Sequence, residues 1–82
     1  MNINRSKQIS IQTAQSEAAF LLAWIRCLER HCNSLLFISN RYPLQKETIE
    51  FCVKETKKEI IELHEERAYW LARLDEEYLT ND

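Results

Sequence analysis

Cys27 and His31 stand four residues apart, a spacing that puts two metal ligands on one face of a helix. Cys32 and Cys52 are each ten residues from Tyr42, so a chain folding back there brings them level. A Cys27, His31, Cys52 cluster is then geometrically available. It has no fourth ligand, because His64 falls several turns away and no Cys-x-x-Cys pair exists. The expectation is no metal site, with the cysteines as small core or near-core residues and any Cys32–Cys52 disulfide a product of air oxidation. The runs Glu65-Glu66 and Asp75-Glu76-Glu77 supply carboxylates, but acid–base work needs surroundings that drive paired pKa values apart. Nucleophilic catalysis needs a nucleophile, a base and an oxyanion site, and a chain without glycine lacks the tight elbow that usually builds one. No catalytic residue and no cofactor are expected, and the chain reads as a non-enzyme.

Other residue types point to binding. Phe20, Trp24, Tyr69, Trp70 and Arg67 are of the kinds enriched at protein-interaction hot spots; aromatic residues at helical spacing are equally at home in a core. Arg67 falls on an otherwise apolar row, where a lone charge is costly. Pairing with Glu17 or with a partner's acid would relieve it. Arg26, Arg30 and Arg41 could begin a nucleic-acid face, yet no lysines join them and an acidic second half opposes it. Nucleic acid is not expected as a partner.

These residues sit on two periodic segments. The first, about 9–38, carries Ile11, Ala14, Ala18, Leu21, Ile25, Leu28, Cys32, Leu35 and Ser39 in alternating steps of three and four, a helical seam. A second row, Phe20, Trp24, Cys27, His31 and Ile38, runs beside it. A helix this broadly apolar usually touches more than one neighbour. Residues 39–43 read as a turn, with Tyr42 held off the α region by Pro43 and Pro43 suited to a first helical position. The second helix, about 44–79, has the seam Ile49, Val53, Thr56, Ile60, Leu63, Arg67, Leu71, Leu74 and Tyr78. Its extra step of four after Arg67 moves the average towards 3.6 and predicts a nearly straight helix. Glu50–Lys54 and Lys58–Glu62 are the expected surface pairs, and the Thr80-Asn81-Asp82 end is expected to fray.

The 82 residues make one small all-α domain, a long helical hairpin. Chains of this size bury only about 60% of their unfolded surface, so the hairpin is expected to dimerise into a four-helix bundle or to join another protein. A three-helix arrangement broken near 31–34 is the alternative. Residues 1–42 carry five basic and two acidic side chains, and residues 43–82 carry six and eleven, so the halves attract when packed side by side. The polar start and the lack of a long apolar run predict no membrane insertion. The odd number of cysteines suits reduced thiols in a cytoplasm.

In whole-chain character, from Met1-Asn2-Ile3-Asn4 through Ala23-Trp24-Ile25-Arg26 to Leu79-Thr80-Asn81-Asp82, the sequence resembles the small cytoplasmic lysis-inhibition accessory proteins, or antiholins, of T-even bacteriophages. The resemblance implies a non-enzymatic regulator in the host cytoplasm. Such a protein binds the cytoplasmic segment of the phage holin and delays lysis. The residues alone also suit a small helical adaptor, a chaperone or a phage inhibitor of a host protein.

Overall fold

The computed structural model describes residues 3–79, with side chains over 8–76. Two long helices fold back on each other. Helix α1 spans Ile3–Arg41, a short 3-10 turn spans Pro43–Gln45, and helix α2 spans Lys46–Leu79. At 1.5 Å per residue α1 is about 58 Å long, which accounts for most of the 63 Å long axis of the 63 × 17 × 14 Å molecule. The all-α hairpin is as expected. No break occurs near 31–34, where Asn33 and Ser34 are helical; without glycine or proline they cannot outweigh the flanking apolar turns.

The turn is tighter than the sequence suggests. Ser39, Asn40 and Arg41 belong to α1 because Ser39 faces inward, is buried, and donates its Oγ hydrogen bond back to the Leu36 carbonyl at 2.8 Å. That bond satisfies the hydroxyl within the helix. Tyr42 alone leaves helical geometry, at φ −125° and ψ 77°, as a residue preceding proline should. Its N–H still reaches the Ile38 carbonyl, and its own carbonyl accepts from the Gln45 N–H, both at 3.0 Å. Pro43 takes the opening position of the 3-10 turn, where a missing N–H leaves nothing unsatisfied.

Every seam residue from Ile11 to Ser39 on α1 is buried or half-buried. On α2 the seam differs from expectation at one point. After Arg67 the inward position belongs to Trp70, which packs against the central cluster of Leu21, Ile25 and Leu63 together with Leu28 and Ile60. Leu71 is left 36% exposed. Alternating steps of four and three therefore hold from Ile49 through Val53, Thr56, Ile60, Leu63, Arg67 and Trp70 to Leu74. The register does not slip, and the spacing is 3.5, the repeat of a left-handed coiled coil rather than of a straight helix. The large Trp70 indole gains more by burial than Leu71 would. The side chains of Glu77 and Tyr78 and the 80–82 end lie outside the described residues.

Two ion pairs lie within α2, Lys46–Glu50 at 3.9 Å and Glu55–Lys58 at 3.3 Å, in place of the expected Glu50–Lys54 and Lys58–Glu62. All four side chains are well exposed, so each pair stabilises the helix only slightly.

Candidate protein-interaction surface

The hairpin has two broad sides, which the grooves between its helices define. On one side Ser10 and Thr13 of α1 share a groove with Tyr69 and Arg73 of α2. On the other, Glu29 and Asn33 share one with Lys57 and His64. Steps of three and four along α1 from Thr13 lead through Glu17 to Phe20, Trp24, Cys27 and His31. The second apolar row thus lies wholly on the first side.

All five members of that row, Phe20, Trp24, Cys27, His31 and Ile38, are exposed. Phe20 and Trp24 form an edge-to-face pair with centroids 5.9 Å apart, a geometry that the ring quadrupoles favour. They remain 62% and 40% exposed, and with Ala23 and Cys27 they line a shallow, almost wholly apolar depression. Arg30 borders its outer edge, with Nη2 3.4 Å from the Cys27 Sγ. Two aromatic rings fixed to a rigid helix and facing solvent have no role in the hairpin's own core.

The five residues expected to contact a partner separate into two groups. Phe20 and Trp24 stand together on this surface, and Tyr69 is exposed at its far end. Trp70 is half-buried: it packs against the central cluster and lines the groove beside Tyr69, and its edge-to-face contact with Tyr69, centroids 5.2 Å apart, joins core to surface. Arg67 is half-buried on the seam. The Arg67 Nε and the Trp70 Nε1 are both buried without a hydrogen-bond partner. Glu17 makes no ion pair with Arg67 among the described residues.

The cysteines do not converge. Cys32 is buried on the seam, whereas Cys27 and Cys52 are exposed, and all three are free thiols. Cys52 precedes Val53, which takes the inward position, and adjacent helical residues point about 100° apart; Cys32 instead shares a groove with Lys57 and Ile60. Among the described residues no group of three or more His, Cys, Asp or Glu side chains is placed to hold a metal ion. No helix is long and apolar enough to cross a membrane among those residues. Arg26 and Arg30 are exposed on the outer flank of α1, while Arg41 stacks over Phe37 at 4.7 Å, so the three arginines form no single basic patch.

The sequence reading missed a feature of α2. Steps of three and four back from Tyr69 give Glu66, Glu62, Glu59 and Glu55, all exposed. This stripe lies on the same side as the aromatic row. The signal was available as a regular spacing of glutamates, hidden within the general acidity of the second half. Comparison with known protein families, curated proteins and solved structures gives no match.

Proposed function

We propose that this chain is a non-enzymatic regulatory protein that works by stoichiometric binding, holding a helical segment of a partner protein against α1. The observation that carries this reading is the exposed Phe20–Trp24 pair, set on a continuous helix beside a seam already filled by α2. Large aromatic side chains concentrate binding energy when a partner desolvates them. The resemblance to the T-even antiholins suggests the partner: the cytoplasmic segment of a phage holin, whose capture would delay host-cell lysis. In the test, immobilised holin segment captures the purified chain, and Trp24→Ala weakens capture about tenfold or more, a hot-spot loss, while helicity by circular dichroism is unchanged. Equal capture of the parent and the variant overturns the assignment of this surface, and no capture of the parent overturns the holin as partner.

Self-association is a second reading, favoured by the opposite side of the hairpin. Leu36, Ile61 and Leu71 are exposed there beside the half-buried Leu22. A dimer closing a four-helix bundle through these residues leaves the aromatic row free. Sedimentation at several concentrations reads the dimer directly, and Ile61→Glu should return it to a monomer.

A further inference from the structure

The side that bears the aromatic row has a second half, and its charge selects what can lie on it. Leu21 and Ile25 meet Leu63 in the core, which sets the register of the helices. Counting outward from that contact, Phe20 lies level with the Glu62–Glu66 turn, Trp24 with Glu59–Glu62, and His31 with the turn before Glu55. An apolar strip from α1 and an acidic strip from α2 thus run side by side on one side of the hairpin, and the depression that Phe20, Ala23, Trp24 and Cys27 line belongs to α1 alone. Glu55 is paired with Lys58, whereas Glu59, Glu62 and Glu66 make no ion pair among the described residues. On the far flank of the apolar strip stands Arg30, beside Cys27. Across this side the order is therefore basic, apolar, acidic.

A second copy of this chain fits that order poorly. Turned to stack α1 on α1, it would set one glutamate strip against the other. Turned to stack α1 on α2, it would press Phe20 and Trp24 onto glutamates and desolvate them. We infer that this side of the hairpin takes an amphipathic helix whose apolar face covers Phe20, Trp24 and Cys27 and whose lysines or arginines lie along Glu59, Glu62 and Glu66. The charge order fixes its rotation, because a basic flank turned the other way would meet Arg30. From Phe20 to Ile38 the apolar strip is about 27 Å long at 1.5 Å per residue, so the occupant is a helix of about five turns. The inference rests on the interaction reading above and names the chemistry of the partner segment.

The probes are two synthetic helical peptides of about 20 residues with the same leucine face, one flanked by lysine and the other by glutamate. Binding to the full chain is read by anisotropy of a label on the peptide. The lysine peptide should bind about tenfold more tightly at low salt, the yield of three exposed pairs, and the ratio should shrink as salt rises. The triple variant Glu59→Lys, Glu62→Lys, Glu66→Lys should reverse the order with its helicity intact, and Trp24→Ala should weaken both peptides. Equal affinities for the two peptides, or an order that survives the triple reversal, overturns the inference. So does a dimer of the parent chain that Trp24→Glu converts to monomer, since this side then belongs to a second copy. A holin segment captured through Trp24, without any charge preference between the two peptides, leaves the functional reading standing and removes this one. A clear lysine preference with no capture of the holin segment does the reverse.

Discussion

Replacing Arg67 by leucine should make the protein more stable. Arg67 occupies an inward position of a seam otherwise carried by Val53, Thr56, Ile60, Leu63, Trp70 and Leu74, and its Nε is buried without a hydrogen-bond partner. A buried donor left unsatisfied costs about 1–3 kcal/mol. Leucine removes that donor and places branched carbon between Leu63 and Trp70. The arginine stem already covers some of this surface, so the gain in apolar burial is modest, about 0.5–1 kcal/mol for a half-buried side chain. Helix propensity does not enter, since arginine and leucine are nearly equal. The side chain freezes less rotamer entropy as leucine than as arginine, which acts in the same direction.

The net expectation for Arg67→Leu is about 1.5–4 kcal/mol of added stability, or a rise in Tm of at least about 6 °C for a domain of this size. Circular dichroism at 222 nm during heating reads it, repeated at several protein concentrations because self-association would itself move Tm. Arg67→Lys is the informative companion: it keeps the charge and removes the Nε donor, and should fall between parent and leucine. A clear drop in Tm for Arg67→Leu would refute the reasoning. It would mean that the guanidinium has a partner in solution and that the seam is built around it.

Three further outcomes follow from the same packing. Trp70→Ala should cost about 2–4 kcal/mol, close to the loss for buried aromatic side chains, whereas Trp24→Ala should cost about 1 kcal/mol or less, the worth of an exposed aromatic pair; paired urea titrations read the contrast, and similar losses would contradict the assignment of core and surface. Ile25, at 0% exposure the most enclosed side chain among the described residues, should lose about 3–5 kcal/mol on Ile25→Ala, the upper range for such truncations, and leave the chain largely unfolded at 37 °C. In thiol titration of the reduced native protein, Cys27 and Cys52 should react quickly and Cys32 only on unfolding, following their exposure; fast reaction of all three would place Cys32 off the seam.

Much of the fold was legible because it rests on patterns that each helix carries within itself. The α1 seam from Ile11 to Ser39 could be read directly, since a repeat of threes and fours leaves one inward face whatever lies opposite. At Trp70 and Leu71 this logic fell short. Both are apolar and adjacent, so periodicity admits either, and the choice was made by which fills more of the space beside Leu21 and Leu63. Ser39 misled for a related reason: its preference for turns is a property of the isolated residue, while its burial and its bond to Leu36 come from the helix around it. The expected surface pairs changed partners because lysine and glutamate at exposed positions have several neighbours within reach and little energy to separate them.

The proposed interaction surface was half legible, and the half that was missed is the part that would lend it specificity. An exposed apolar row on α1 follows from that helix alone, as Phe20, Trp24 and Cys27 show. Its relation to Glu59, Glu62 and Glu66 is a property of two helices in a fixed register, set by the contact of Leu21 and Ile25 with Leu63. Antiparallel packing places the same flank of each seam on the same side of the hairpin, so the regular spacing of the glutamates acquires meaning only once the seam is correctly drawn. Had the α2 seam slipped to Leu71, the flank carrying Tyr69 would have rotated away from Thr13, and the groove they line together would not exist. The burial of Trp70 therefore does two things. It completes the core, and by keeping α2 in register it holds the acidic strip beside the aromatic one. Trp70, expected as a contact, is thus also a support for the proposed contact surface.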